Sequence, residues 1–157
     1  INGSYNAFEP NLDVLKPLVE SGQIQIGNHT WSHAALTTLD DAGIAAELTK
    51  NDEEIQRLFG VSSKPYYRPP YGYYDSRVLE AAASVGFDRA VLWYGSLADS
   101  SPIPAEEIYA YSEKYANSQT ILIGHLNYPG VIEVLDKIKM LLDERNLTPV
   151  TLRDYYG

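Results

Sequence analysis

Two of the chain's three histidines stand four residues apart, at His29 and His33 in the segment HTWSH. At that spacing two imidazoles fall on one face of a turn or helix, close enough to share a cation, and imidazole suits borderline metals such as zinc. The segment also reads as a helix N-terminus capped by Thr30 or Ser32, with both histidines merely hydrogen-bonded. Three further segments carry polar side chains directly after apolar runs. RPPYG sets Arg68 before Pro69 and Pro70, a permanent cation followed by a stiff turn that aims a backbone N–H near Tyr71. A rigid loop with a surface arginine has the same signature. ILIGH places His125 where an imidazole serves as a general acid near neutral pH, or where it simply sits satisfied at a rim. LWYGSLAD offers Trp93, either the wall of an acyl pocket or a packing residue. It also offers Asp99, either the carboxylate that orients a histidine through its ring N–H or a solvated loop acid.

These residues need elements to position them. Hydrophobic periodicity predicts helices over 11–20, 40–59, 76–85, 105–115 and 131–144, several of them closed by Gly22, Gly60 and Gly86. Short apolar runs predict strands over 23–26, 64–68, 89–93, 120–123 and 148–151. Strands alternating with helices imply a parallel sheet with helical crossovers, an α/β fold. A barrel is favoured over an open sheet, because no glycine-rich phosphate turn follows a strand and the chemically suggestive residues lie just after several different strands. Five strands are fewer than a closed barrel of this kind has. The expectation is a single domain over 1–157, incomplete at its N-terminus, with the first strands upstream of Ile1.

Composition narrows the function. A chain of 157 residues with 45% hydrophobic content can fill one core. A net charge of −9 argues against nucleic acid and anionic membrane surfaces, and leaves neutral or cationic polymers as partners. No run approaches the roughly 20 apolar residues needed to span a bilayer. Cysteine is absent, which removes thiolate metal sites and cysteine nucleophiles. Tyrosine is abundant, at 13 against 3 Phe and 2 Trp. An apolar ring with a polar tip suits sugar surfaces, although ordinary half-buried packing accounts for most such residues.

Taken in order, the four segments resemble those of the NodB-homology polysaccharide deacetylases, carbohydrate esterase family 4, whose wording is TFDD, H-[ST]-x-x-H, R-x-P-[FY], a Trp/Asp segment and L-x-H. The resemblance covers the whole chain and implies a distorted (β/α) barrel of the polysaccharide deacetylase type. It also implies a hydrolase removing N- or O-acetyl groups from chitin, peptidoglycan or xylan, in an extracellular or cell-wall setting. His29 and His33 would be metal ligands for a divalent ion, zinc above all. Arg68 would pair with a base, and His125 would protonate the leaving group with Asp99 orienting it. Tyr71 would offer its N–H to the oxyanion, and Trp93 and Ile123 would line the methyl pocket.

The departures are specific. No TFDD-like segment occurs, so neither the third ligand nor the base Asp is present; Asp40-Asp41 reads as a helix start. Ser96 and Ser100 stand where the family often has Asp and Trp, and Leu126 where an acid commonly follows the histidine. Two rival readings follow: an inactive carbohydrate-binding remnant or pseudo-enzyme of the same fold, and a related barrel hydrolase of cyclic imides, which HTWSH and RPPY argue against. Missing strands would also leave edges through which the chain self-associates.

Overall fold

The structure, a computed structural model, describes residues 1–5 and 7–157. The chain divides into two compact units: Ile1–Leu92 with Thr151–Gly157, and Trp93–Val150.

The first unit is built around helix α2, Asp41–Phe59, which follows helix α1, Leu12–Glu20. The side chain of Asp40 accepts from Gly43 N and caps α2, which ends at Gly60 with φ 74°, a left-handed conformation that glycine adopts without strain. Ile44, Leu48, Ile55 and Leu58 recur at helical spacing and are buried. On one side this stripe meets Leu36, Tyr67, Val78, Ala82 and Phe87; on the other it meets Val19, Ile26 and Phe59. Asn51 occupies the middle of the same buried face. Strand β1, Tyr66–Tyr67, pairs in parallel with β2, Arg89–Ala90, and helix α3, Ser76–Ser84, lies between them in sequence. Asp75 caps α3 by accepting from Val78 N at 2.8 Å.

The second unit repeats the pattern. Strand β3, Gly95–Ser96, pairs in parallel with β4, Leu122–Ile123, across helix α4, Ala105–Tyr115. Glu106 and Glu107 in the first turn of α4 and Lys114 in its last suit the helix dipole. A Cβ at Gly95 would lie 2.3 Å from that of Tyr115, so only glycine lets β3 approach α4 this closely. Leu97, Ile108, Val131 and Val134 form the core, and helix α5, Leu135–Glu144, follows a 3-10 segment, Pro129–Val134.

Several expectations need correction. The predicted strand over 23–26 is absent; extended pairing there is limited to a single bridge, Asn28 to Tyr67. The predicted strand over 148–151 is also absent. Thr151 instead caps a short helix, Leu152–Tyr156, in a reciprocal capping box with Asp154, because its hydroxyl accepts from Asp154 N. The strands over 64–68, 89–93 and 120–123 shrink to residue pairs, and the helix over 131–144 opens as the 3-10 segment. Gly95–Ser96 pairs without the β-branched residues that would announce a strand.

Candidate functional site

In the first unit, HTWSH forms neither the turn of a regular helix nor its N-terminus. Thr30 and His33 both hold left-handed backbone conformations, φ 69° and 62°, which are costly for residues with a Cβ, above all for a β-branched one. The surroundings hold that strain in place. Asn28 Oδ1 accepts from Thr30 N at 2.9 Å and from Asn51 Nδ2 at 2.8 Å, while Asn28 Nδ2 donates to Leu48 O at 2.9 Å and to Ser63 Oγ at 3.3 Å. All four bonds that an amide side chain can make are therefore used. His33 N donates to Thr30 Oγ1. Glu47 clamps the outer side of the loop: Ser32 N and Ser32 Oγ each donate to one of its carboxylate oxygens, at 2.8 and 2.7 Å, and Trp31 N donates to its carbonyl. The Lys50 ammonium lies 4.0 Å over the Trp31 ring. Asn2 Nδ2 donates to His29 O.

The result is a fixed pair of imidazoles. The rings of His29 and His33 meet edge to face with centroids 4.8 Å apart. His29 Nδ1 lies 2.7 Å from the carbonyl of Arg68, which can only accept, so Nδ1 carries the proton and Nε2 keeps its lone pair. Burial, reinforced by the Arg68 charge, pulls the His29 pKa down to about 3. A neutral imidazole with one nitrogen anchored to a carbonyl is the form that ligates a divalent ion, and the anchor fixes the ring's orientation. The pair therefore fits as two ligands of a larger set. Among the described residues no group of three or more His, Cys, Asp or Glu could hold a metal ion.

RPPYG completes this cluster. Arg68 N donates to Asn28 O at 2.8 Å, which places the motif beside the histidine loop. The Arg68 side chain is partly buried, makes no ion pair among the described residues, and has its pKa lowered by that burial. Tyr71 sits at φ 59° in a 3-10 turn, with its ring edge to face against His33 at 4.8 Å.

The second unit holds a different pair. Asp99 is almost fully buried, and its two oxygens take the two donors of one residue: Oδ2 accepts from His125 N at 2.8 Å and Oδ1 from His125 Nδ1 at 2.9 Å. The carboxylate thus fixes both where His125 leaves β4 and which ring nitrogen bears the proton, so Nε2 is the nitrogen left for exchange. Ile123 is buried on β4, and Trp93 is partly buried at the start of this unit.

The structure thus gathers His29, His33, Arg68 and Tyr71 in one unit, and Asp99, His125, Trp93 and Ile123 in the other. Sequence reasoning missed Asn28, Asn51 and Glu47, which shape the histidine loop. The available signal was a polar residue, Asn51, at a core position of the α2 stripe.

Residues 1–90 match the family model described as polysaccharide deacetylase. A peptidoglycan-N-acetylmuramic acid deacetylase of Bacillus subtilis is 30% identical over 138 residues, covering 88% of this chain and 48% of that protein. A chitin deacetylase of Arthroderma benhamiae is 29% identical over 154 residues, covering 92% of this chain and 40% of that one. The chain spans less than half the length of these curated relatives. A family 4 carbohydrate esterase from Streptomyces lividans, solved in complex with acetate, superposes with a TM-score of 0.80 at 21% identity, covering 99% of this chain and 78% of that one. The α/β fold is therefore the polysaccharide deacetylase type expected from the sequence. With HTWSH and RPPYG inside the matched region, which is more than half of the chain, and the fold shared end to end, the chain belongs to the polysaccharide deacetylase family.

Proposed function

We propose that this chain is part of a metal-dependent deacetylase that hydrolyses N- or O-acetyl groups on an extracellular or cell-wall polysaccharide of the chitin, peptidoglycan or xylan class. The observation that carries the reading is the His29–His33 pair, held in a strained loop with His29 neutral and its Nε2 free of the Arg68 anchor. His29 and His33 would hold a divalent ion, zinc by preference of the donor type. Bound there, such an ion supplies Lewis-acid polarisation of the acetyl carbonyl.

The chain's own residues account for other parts of the reaction. The Tyr71 N–H, set by the proline turn, donates to the developing oxyanion. Arg68 lacks a carboxylate partner among the described residues, and its charge would hold a base carboxylate ionised. His125, with Nδ1–H tied to Asp99 and a second proton taken up on Nε2 from solvent, protonates the departing nitrogen or oxygen from Nε2 and is left neutral with Nδ1–H still on the carboxylate.

A second reading has an observation behind it. With no group of three ligands among the described residues, a glycan-binding pseudo-enzyme of this fold accounts equally for the architecture. Elemental analysis of the purified protein before and after zinc addition, with acetate release from acetylated chito-oligosaccharides measured in parallel, separates the two. Stoichiometric zinc that His29→Ala abolishes, together with acetate release, supports the deacetylase. Zinc-independent sugar binding without acetate release supports the pseudo-enzyme. No zinc, no sugar binding and no acetate release would refute both.

A further inference from the structure

Beyond the histidine cluster, the segment 71–74 shows an unusual surface. Tyr71, Tyr73 and Tyr74 are 58%, 56% and 46% exposed, three large rings in four residues turned to solvent. Exposed rings gathered in this way are costly to hydrate and mark binding surfaces more often than scattered ones do.

The segment is stiff at both ends. Pro69 and Pro70 precede it, Gly72 N donates to Pro69 O and Tyr73 N to Pro70 O, and the cap Asp75 pins its far end to α3. Tyr71 and Gly72 both hold positive φ, 59° and 71°, so the backbone accepts strain at Tyr71 to present these side chains. The rings are also ordered. Tyr71 stands edge to face on His33 at 4.8 Å, and Tyr73 follows it, tilted by 37° with centroids 5.6 Å apart. An aromatic row therefore begins at the proposed metal ligand and runs outward one ring further.

The chemistry of the row indicates its occupant. It contains tyrosines without aliphatic side chains, and the carboxylate that follows it in sequence, Asp75, is engaged with Val78 N. A pyranose presents an apolar C–H face and a hydroxyl rim, which match a tyrosine's ring and its phenolic tip. Rigid rings lose little freedom when a ligand stacks on them.

We propose that Tyr71 and Tyr73 form a stacking platform for a second sugar ring, adjoining the sugar whose acetyl group meets the His29–His33 pair. The substrate is then recognised as a polymer and not as a single acetylated sugar. The proposal rests on the deacetylase reading given above.

The test is an NMR titration of the protein and its Tyr73→Ala and Tyr73→Phe variants with N-acetylglucosamine and with its β-1,4-linked tetramer. The protein should bind the tetramer more tightly than the monomer. Tyr73→Ala should weaken the tetramer about three- to tenfold and leave the monomer unchanged. Tyr73→Phe, which keeps the ring, should retain the tetramer's advantage. Tetramer affinity equal in Tyr73→Ala and the parent protein would overturn the platform while leaving the deacetylase reading intact. If neither sugar shifts the imidazole resonances of His29 and His33, the deacetylase reading fails and the platform fails with it.

Discussion

The two units each hold an anchored histidine, and the anchors differ. His29 gives its Nδ1 proton to a backbone carbonyl, next to a cation, in a buried setting. His125 gives its Nδ1 proton to a buried carboxylate that also takes its backbone N–H. A neutral acceptor orients an imidazole but offers no compensation for a positive charge, so His29 is held as a lone-pair donor. A carboxylate fixes the ring by Nδ1–H and leaves Nε2 as the exchanging nitrogen, so His125 is oriented for proton transfer. The same side chain is thus turned to two tasks by one atom of its surroundings. The supports differ as well: the His29 loop depends on a network spread over four segments, whereas His125 depends on a single residue.

The largest expected effect tests the network. Asn28→Ala strands Thr30 N in a buried site and takes one hydrogen bond each from Leu48 O, from Asn51 Nδ2, which keeps Ile1 O, and from Ser63 Oγ, which keeps Asp52 Oδ1. An unpaired buried donor costs about 1–3 kcal/mol and each further hydrogen bond lost about 1 kcal/mol, so a loss of about 3 kcal/mol in denaturant unfolding is expected, together with loss of zinc binding. A change of less than about 1 kcal/mol would mean that the loop holds its shape without the network.

Next comes the single support. Asp99→Asn keeps the size of the side chain but presents both an amide NH2 and a single carbonyl oxygen to two donors. His125 then loses its fixed tautomer, visible in its ring ¹⁵N shifts. On the deacetylase reading, acetate release should fall about 10²-fold or more with zinc content unchanged. Zinc lost along with activity would break the division of labour between the two histidines.

A pH experiment distinguishes the anchors more gently. The His29 pKa is about 3 in the folded protein, against 6.5 for the ordinary side chain. Between those values the unfolded chain binds a proton that the folded one refuses. Stability therefore rises with pH across this window and is lost as pH falls from about 6.5, by up to about 1.4 kcal/mol per pH unit for one group. Asp52 adds to the loss at the acid end. Burial pushes its pKa up, but hydrogen bonds from Ser63, Ser62 and Gln56 outweigh burial and hold it below the usual value. Urea unfolding at pH 6.5 and pH 5 should show the slope, and His29→Gln should flatten it. An unchanged slope in that variant would assign the effect to another group.

How much of this was legible beforehand depends on range. Helix α4 spans 105–115 as periodicity predicts, and the start of α2 at Asp40 is written in its cap, because both signals are local. Apolar runs announce burial, and only cross-strand partners decide how many residues pair, so the strands are shorter than the runs; residues 148–151 carry a strand-like pattern, while the capping box that starts the last helix begins at Thr151 itself. The histidine pair was legible from rarity and spacing. Its backbone was not, since Thr30 and His33 owe their left-handed conformations to Asn28, Asn51 and Glu47, and the contact from Asn51 to Asn28 spans 23 residues. Asn51 in the middle of an apolar stripe was the one visible trace of that dependence.

The smallest effect sharpens the comparison by splitting the network itself. Glu47 holds Ser32 from the solvent side, where water can replace a lost bond, whereas Asn28 works where water cannot. Glu47→Gln turns one of two acceptor oxygens into an NH2 that faces a donor. One bond to Ser32 is lost and the other weakens with the charge. The expected cost is about 1 kcal/mol or less, a small shift of the urea midpoint with unchanged slope. Zinc affinity should fall less than about tenfold, since a residual bond and the Trp31 N–H to Glu47 O bond still locate the loop. If Glu47→Gln instead matches Asn28→Ala in both stability and zinc binding, the strain at Thr30 and His33 is held from the surface. The buried asparagines would then be packing beneath a loop fixed from above.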